Sequence, residues 1–185
     1  MTSTGGQQGF AAHQQFHPAL QAAARSAEIP IDQDVYGFLV GSWTLEVRRY
    51  RGVDVSRDGL RGEVHAAWVL EGRAVQDVWI MPPRSARQAP SPDFNMYGTT
   101  LRLWDPNLSA WRISWSDPSW SHYEQQIGRR IGADIVQLGT RANGTSTRWR
   151  FVEMTADSFH WLGDALQPDG STWALEGEFL ARRVR

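Results

Sequence analysis

From Trp43 to the C-terminus, apolar and polar residues alternate with a period of two, and turn chemistry interrupts the alternation at regular intervals. Trp111, Ile113 and Trp115 alternate with Arg112, Ser114 and Ser116. Trp149 and Phe151 alternate with Arg148 and Arg150, and Phe159 and Trp161 frame His160. Only an extended chain sends successive side chains to opposite faces. The interruptions are Arg57-Asp58-Gly59, Glu71-Gly72, Asp105-Pro106-Asn107, Gly132-Ala133-Asp134, Asn143-Gly144, Ala156-Asp157 and Pro168-Asp169-Gly170, all of them residues that favour tight turns. The pattern predicts about ten antiparallel strands at roughly 11–15-residue spacing. A single up-and-down β-barrel is expected over a sandwich, because consecutive hairpins need only nearest-neighbour pairing and closure removes the edges.

One interval breaks the beat. Pro82–Phe94 holds four of the nine prolines, cannot be a central strand, and is long enough to lie across an opening. Before the barrel, residues 1–34 read as an extension with a short helix over Pro18–Ala27, opened by Pro18 and stopped at Ile29-Pro30. Met1–Gln8 resembles an expression-tag remnant. Residues 35–185 form the barrel domain in this reading. Val35, Phe38 and Leu39 fall at helical spacing and stop at Gly41, which predicts a helical turn leading into the first strand at Trp43.

Composition narrows the chemistry. All 19 basic residues are Arg and cysteine is absent, which excludes lysine Schiff bases, thiol nucleophiles, disulfides and cysteine-bound metals. Net charge is −1 with the arginines scattered, so no nucleic-acid track is expected. The N-terminus has neither a basic nor an apolar targeting region, and no run approaches the ~20 apolar residues of a membrane helix. A cytoplasmic, non-membrane protein is expected. The five histidines show no ligand spacing, so neither metal nor cofactor is expected.

A Gly-x-Trp at the start of the first strand (Gly41-Ser42-Trp43), preceded by a helical turn and answered by arginines at the end of the last strand (Arg182-Arg183), resembles the calycin superfamily of lipocalins, fatty-acid-binding proteins and nitrobindins. The resemblance implies that Trp43 plugs one end of the barrel and that Arg182 or Arg183 packs over it. A guanidinium on an indole face contributes about 1–2 kcal/mol when desolvated. Over Phe38–Arg183 the segments Glu71–Trp79, Gly98–Pro106, Trp111–Trp115, Trp149–Phe151 and Phe159–Trp161 are similar to a bacterial calycin-like family of unknown function, which implies the barrel alone. Haem-binding nitrobindin would require a histidine near the last strand, and Trp173–Arg183 has none.

Ten tryptophans suit a lumen that holds a flat or hydrophobic molecule, oriented by a few polar groups. The expected ligand contacts are Trp68, Trp79, Tyr97, Arg102, Trp115, Arg150, His160, Trp161 and Glu176. Asp77, His122 and Glu124 are the candidate acid–base groups, since a carboxylate desolvated among indoles is a proton donor near neutrality. An Asp77–Arg102 ion pair would instead make Asp77 structural or ligand-orienting. Tryptophan occurs on both registers, so the lumen-facing side stays open. The function expected is binding of a small hydrophobic or aromatic ligand. A cofactor-independent cyclase or isomerase acting on a secondary metabolite and a partner-binding protein with a filled barrel are the alternatives, and a homodimer is compatible with each.

Overall fold

The computed structural model describes residues 15–87 and 94–185. The expectations for Met1–Gln8, for the first residues of the extension and for the centre of Pro82–Phe94 lie outside the described residues. The strands are β1 (Gly41–Tyr50), β2 (Val53–Asp54), β3 (Arg61–Val69), β4 (Ala74–Met81), β5 (Met96–Asp105), β6 (Ala110–Asp117), β7 (His122–Ile131), β8 (Asp134–Thr140), β9 (Ser146–Val152), β10 (Ser158–Leu166) and β11 (Trp173–Arg183). Apart from the two-residue β2, which pairs only with β1, each strand pairs antiparallel with its neighbours in sequence, and β11 returns to pair with β1. The result is a closed ten-strand antiparallel barrel. Every turn segment singled out above falls between strands or overlaps a strand by one terminal residue, Asp105 at the end of β5 and Asp134 at the start of β8.

Alternation sets the two faces. Val75, Asp77, Trp79 and Met81 of β4, and Trp111, Ile113, Trp115 and Asp117 of β6, are all buried. Two bulges change the phase. On β1 the register skips Arg48, so that Leu45 and Val47 point inward and, past the bulge, so does Tyr50. On β11 it skips Glu176 between Leu175 and Gly177. A bulge re-aims a side chain, and here it brings Glu176 to the mouth of the lumen.

One end of the barrel is stoppered. The chain enters through a 3-10 turn, Gly37–Leu39, that sets Phe38 against Phe151 and Phe159 with ring centres 5.7 and 5.9 Å apart. Trp43 is fully buried against Phe159 at 4.8 Å and donates its indole N–H to the Leu39 carbonyl at 2.7 Å. Arg183, not Arg182, covers it. Trp43 and Arg183 face each other in the ladder, and the guanidinium lies 4.0 Å from the ring centre. Gly41 has φ +126°, and a Cβ there would stand 2.7 Å from Arg183 Nη1. The glycine two residues before the tryptophan is thus required twice, by its backbone and by the arginine.

The extension is built differently from the helix expected over Pro18–Ala27. Its helix spans 15–20, and the following residues turn their backbone N–H groups to the β3–β4 hairpin: Ala22 to Trp68 O at 2.8 Å and Ser26 to Gly72 O at 2.9 Å. Pairing with a hairpin already in place satisfies those donors and stops the helix. Ile29, Val35 and Tyr36 then join the barrel core. Among the described residues, no helix is long and apolar enough to cross a membrane.

Candidate functional site

Opposite the stopper the barrel opens onto a cavity of about 510 Å³. Its walls are Trp79, Trp115, Trp149, Trp161, Phe179 and Met96; Thr100 and Arg102 form the floor, and Tyr50, Asp117, Trp120, His122, Arg141 and Glu176 stand round the mouth. The indoles touch one another edge-on or tilted. Trp149 lies 5.5 Å from Trp161 and 6.2 Å from Trp115, and Trp79 lies 5.9 Å from Trp161. Such contacts hold each ring in place and favour a wall of fixed shape. Glycines make room for the rings: a Cβ at Gly163 would meet Trp161 at 2.6 Å, and one at Gly98 would overlap Trp115.

The floor carries charge. Asp77 and Arg102 are each 1% exposed and point inward from adjacent strands. Asp77 accepts the Thr100 backbone N–H at 3.1 Å on one oxygen and Arg102 Nη1 on the other. The rings of Tyr36 and Phe151 lie 5.0 and 5.8 Å from the guanidinium carbon. Burial pushes the Tyr36 phenol pKa up; the Arg102 charge opposes that shift and Asp77 adds to it. Tyr36 is therefore a neutral hydrogen-bond donor.

From Tyr36 a chain of polar side chains runs up one wall. Its hydroxyl donates to Gln137 at 3.0 Å, Gln137 donates to Gln126 at 2.9 Å, and Gln126 donates to Glu124 at 2.7 Å. Thr147 also donates to Glu124, His122 Nε2 lies 3.3 Å away, and Arg141 Nε lies 3.6 Å away. Arg141 then reaches Glu176 at 2.5 Å. Burial alone would raise the Glu124 pKa, but the bonds from His122, Thr147 and Gln126 and the Arg141 charge hold it below the ordinary glutamate value. Glu124 is an anion at neutral pH, fixed from several sides. Across the mouth, Asp117 accepts the Ser119 N–H at 2.9 Å. Burial, followed by the Asp117 charge, raises Tyr50 to about 12.

Of the residues singled out from the sequence, Trp79, Arg102, Trp115, His122, Trp161 and Glu176 line this cavity. Asp77 and Glu124 lie directly behind it. The remaining four lie away from it. Trp68 is buried beside the extension that bonds to its carbonyl. Tyr97 is 41% exposed on the outer face, 5.0 Å from the Arg87 guanidinium. Arg150 pairs with Asp164 at 3.1 Å, and His160 with Glu178 at 3.0 Å. Sequence reading missed Tyr50, Asp117, Trp120 and Arg141, which occupy strand ends and turns. Asp117-Pro118-Ser119 is itself a turn signal, and it marks the mouth.

Fold and site together define a closed antiparallel β-barrel with one end stoppered by aromatic residues and the other opening onto an indole-walled cavity. No protein-family model matches the chain. Over 74 residues it is 34% identical to a probable cytosol aminopeptidase of Chromohalobacter salexigens, a stretch that covers 40% of this chain and 14% of that protein.

Proposed function

We propose that this protein binds a small, flat hydrophobic or aromatic molecule in the lumen of its barrel, with access past Tyr50, Asp117, Arg141 and Glu176. The observation that carries this reading is the cavity of about 510 Å³ walled by four indoles, a volume within the roughly 300–1,000 Å³ of small-molecule sites. A barrel serving only as a scaffold would be filled by its own side chains. The Trp43–Arg183 stack supports placing the barrel among calycin-like proteins.

A second reading, proton-transfer catalysis without a cofactor, is favoured by one feature: His122 borders the cavity and is held by the buried carboxylate of Glu124. Asp77 is a poor base in this arrangement, because both of its oxygens are occupied. Binding is tested by mass spectrometry of the protein as purified, under conditions that keep complexes intact, and by titration with the neutral probe phenylnaphthylamine. The expected result is one saturable site per chain with quenching of tryptophan emission. Absence of both a bound mass and a saturable site would refute lumen binding.

A further inference from the structure

The Asp77–Arg102 pair is a poor device for stability alone. Desolvating two charges cancels much of what their attraction returns, and apolar side chains of the same volume commonly serve a core as well or better. Its hydrogen bonds are also unevenly distributed. Asp77 is saturated by the Thr100 N–H and by Arg102. Arg102 is not: Nη1 meets Asp77, Nε is buried without a partner, and Nη2 is bonded to nothing among the described residues. A guanidinium carries five N–H donors in a fixed plane, and leaving one buried and unused is costly. Tyr36 and Phe151 lie on its closed-end side, and the residue borders the cavity floor.

We infer that Arg102 is the donor that receives the inner end of the ligand, and that the group it receives is an uncharged acceptor, the carbonyl oxygen of an aromatic ketone, quinone or lactone. Asp77 decides against an anion. It already balances the arginine, so a carboxylate brought to the floor would leave water and face Asp77 with no further cation beside it. The other arginines of the cavity, Arg51 and Arg141, follow the ends of β1 and β8 at the mouth, and Arg141 is engaged by Glu124 and Glu176. A carbonyl gains a charge-assisted hydrogen bond without adding net charge to the interior. Asp77 acts here as a positioning residue, holding the guanidinium at the cavity floor through Nη1 while Nη2 has no partner among the described residues.

This inference rests on the lumen-binding reading and adds the chemistry of the ligand's inner end. The experiment uses three naphthalenes of similar shape: acetylnaphthalene with a neutral acceptor, naphthoate with a charged one, and ethylnaphthalene with none, each titrated by calorimetry and tryptophan fluorescence. The full chain is expected to bind acetylnaphthalene about tenfold or more tighter than either of the others. In the double variant Asp77→Asn/Arg102→Met that preference is expected to vanish while ethylnaphthalene binding persists. Infrared spectroscopy of acetylnaphthalene bound to the unmodified protein, which needs no variant, should show the carbonyl stretch shifted to lower frequency than in hexane. Equal affinity for the acetyl and ethyl compounds, tightest binding of naphthoate, an unshifted carbonyl stretch, or a preference that survives the double substitution would overturn the inference. Failure of all three compounds to bind while phenylnaphthylamine still does would also overturn the inference, whereas failure of phenylnaphthylamine as well, with no bound mass, would refute lumen binding itself.

Discussion

Trp43 and Arg183 are partners in the ladder that joins the first strand to the last, and the guanidinium lies 4.0 Å from the ring centre. The same guanidinium donates to the carbonyls of Phe38, Val40 and Ala156 at 2.6, 2.8 and 2.8 Å. One side chain therefore ties the entry turn, the last strand and the β9–β10 connection together. Trp43→Ala is expected to cost roughly 3–5 kcal/mol, as a large buried truncation does. Arg183→Lys keeps the charge but loses the planar fork that reaches several carbonyls, and is expected to cost about 1–3 kcal/mol. Urea unfolding measures both. An unchanged midpoint for Trp43→Ala would rule out the plug.

Gly128 is the place where Tyr36 enters the barrel. A Cβ there would overlap the Tyr36 hydroxyl and stand 2.7 Å from Ile113 Cδ1. Gly128→Ala is expected to destabilise by about 1–3 kcal/mol through overpacking. Tyr36→Phe removes the hydroxyl and its 3.0 Å bond to Gln137, at a cost of about 1 kcal/mol. The two changes meet at one atom, so the double variant should be more stable than the sum of the single losses. A double-mutant cycle with strictly additive losses would contradict this packing.

Glu124 sets part of the acid stability. Its pKa in the fold lies below the usual 4.5, so the folded state binds fewer protons there than the unfolded chain. The stabilisation is fully present above about pH 4.5 and is lost as pH falls through the lower, folded value. Denaturant midpoints of the protein and of Glu124→Gln, measured from neutral pH downward, should therefore converge in acid. A gap that stays constant from pH 7 to about pH 3 would show that Glu124 is not held as an anion.

Much of the fold was legible because period-two alternation and turn residues are local signals. Trp111, Ile113 and Trp115 announce a strand with one buried face, and Gly41-Ser42-Trp43 announces where the barrel starts. The lumen side was not legible, because bulges reset the phase. Tyr50 and Glu176 reach the mouth only through the skipped positions at Arg48 and Glu176, and no residue type at either place signals a bulge. His160 and Arg150 looked like lumen groups because they sit beside tryptophans. Alternation sends exactly such neighbours to the outside, where carboxylates meet them. The Asp77–Arg102 pairing was available as an alternative from adjacent strands, but its burial and its unused donors depend on the closed end packed behind it.

The most direct test of lumen binding is to fill the lumen. Thr100 is buried on β5 and borders the cavity floor, so Thr100→Phe places a ring where the ligand would lie. Titration of both proteins with phenylnaphthylamine, after far-ultraviolet circular dichroism has shown that the variant is folded, compares an open barrel with an occupied one. Lumen binding predicts a single saturable site in the unmodified protein and a loss of affinity of about tenfold or more in the filled one. Equal binding by the two proteins would place the probe elsewhere on the surface and contradict lumen binding.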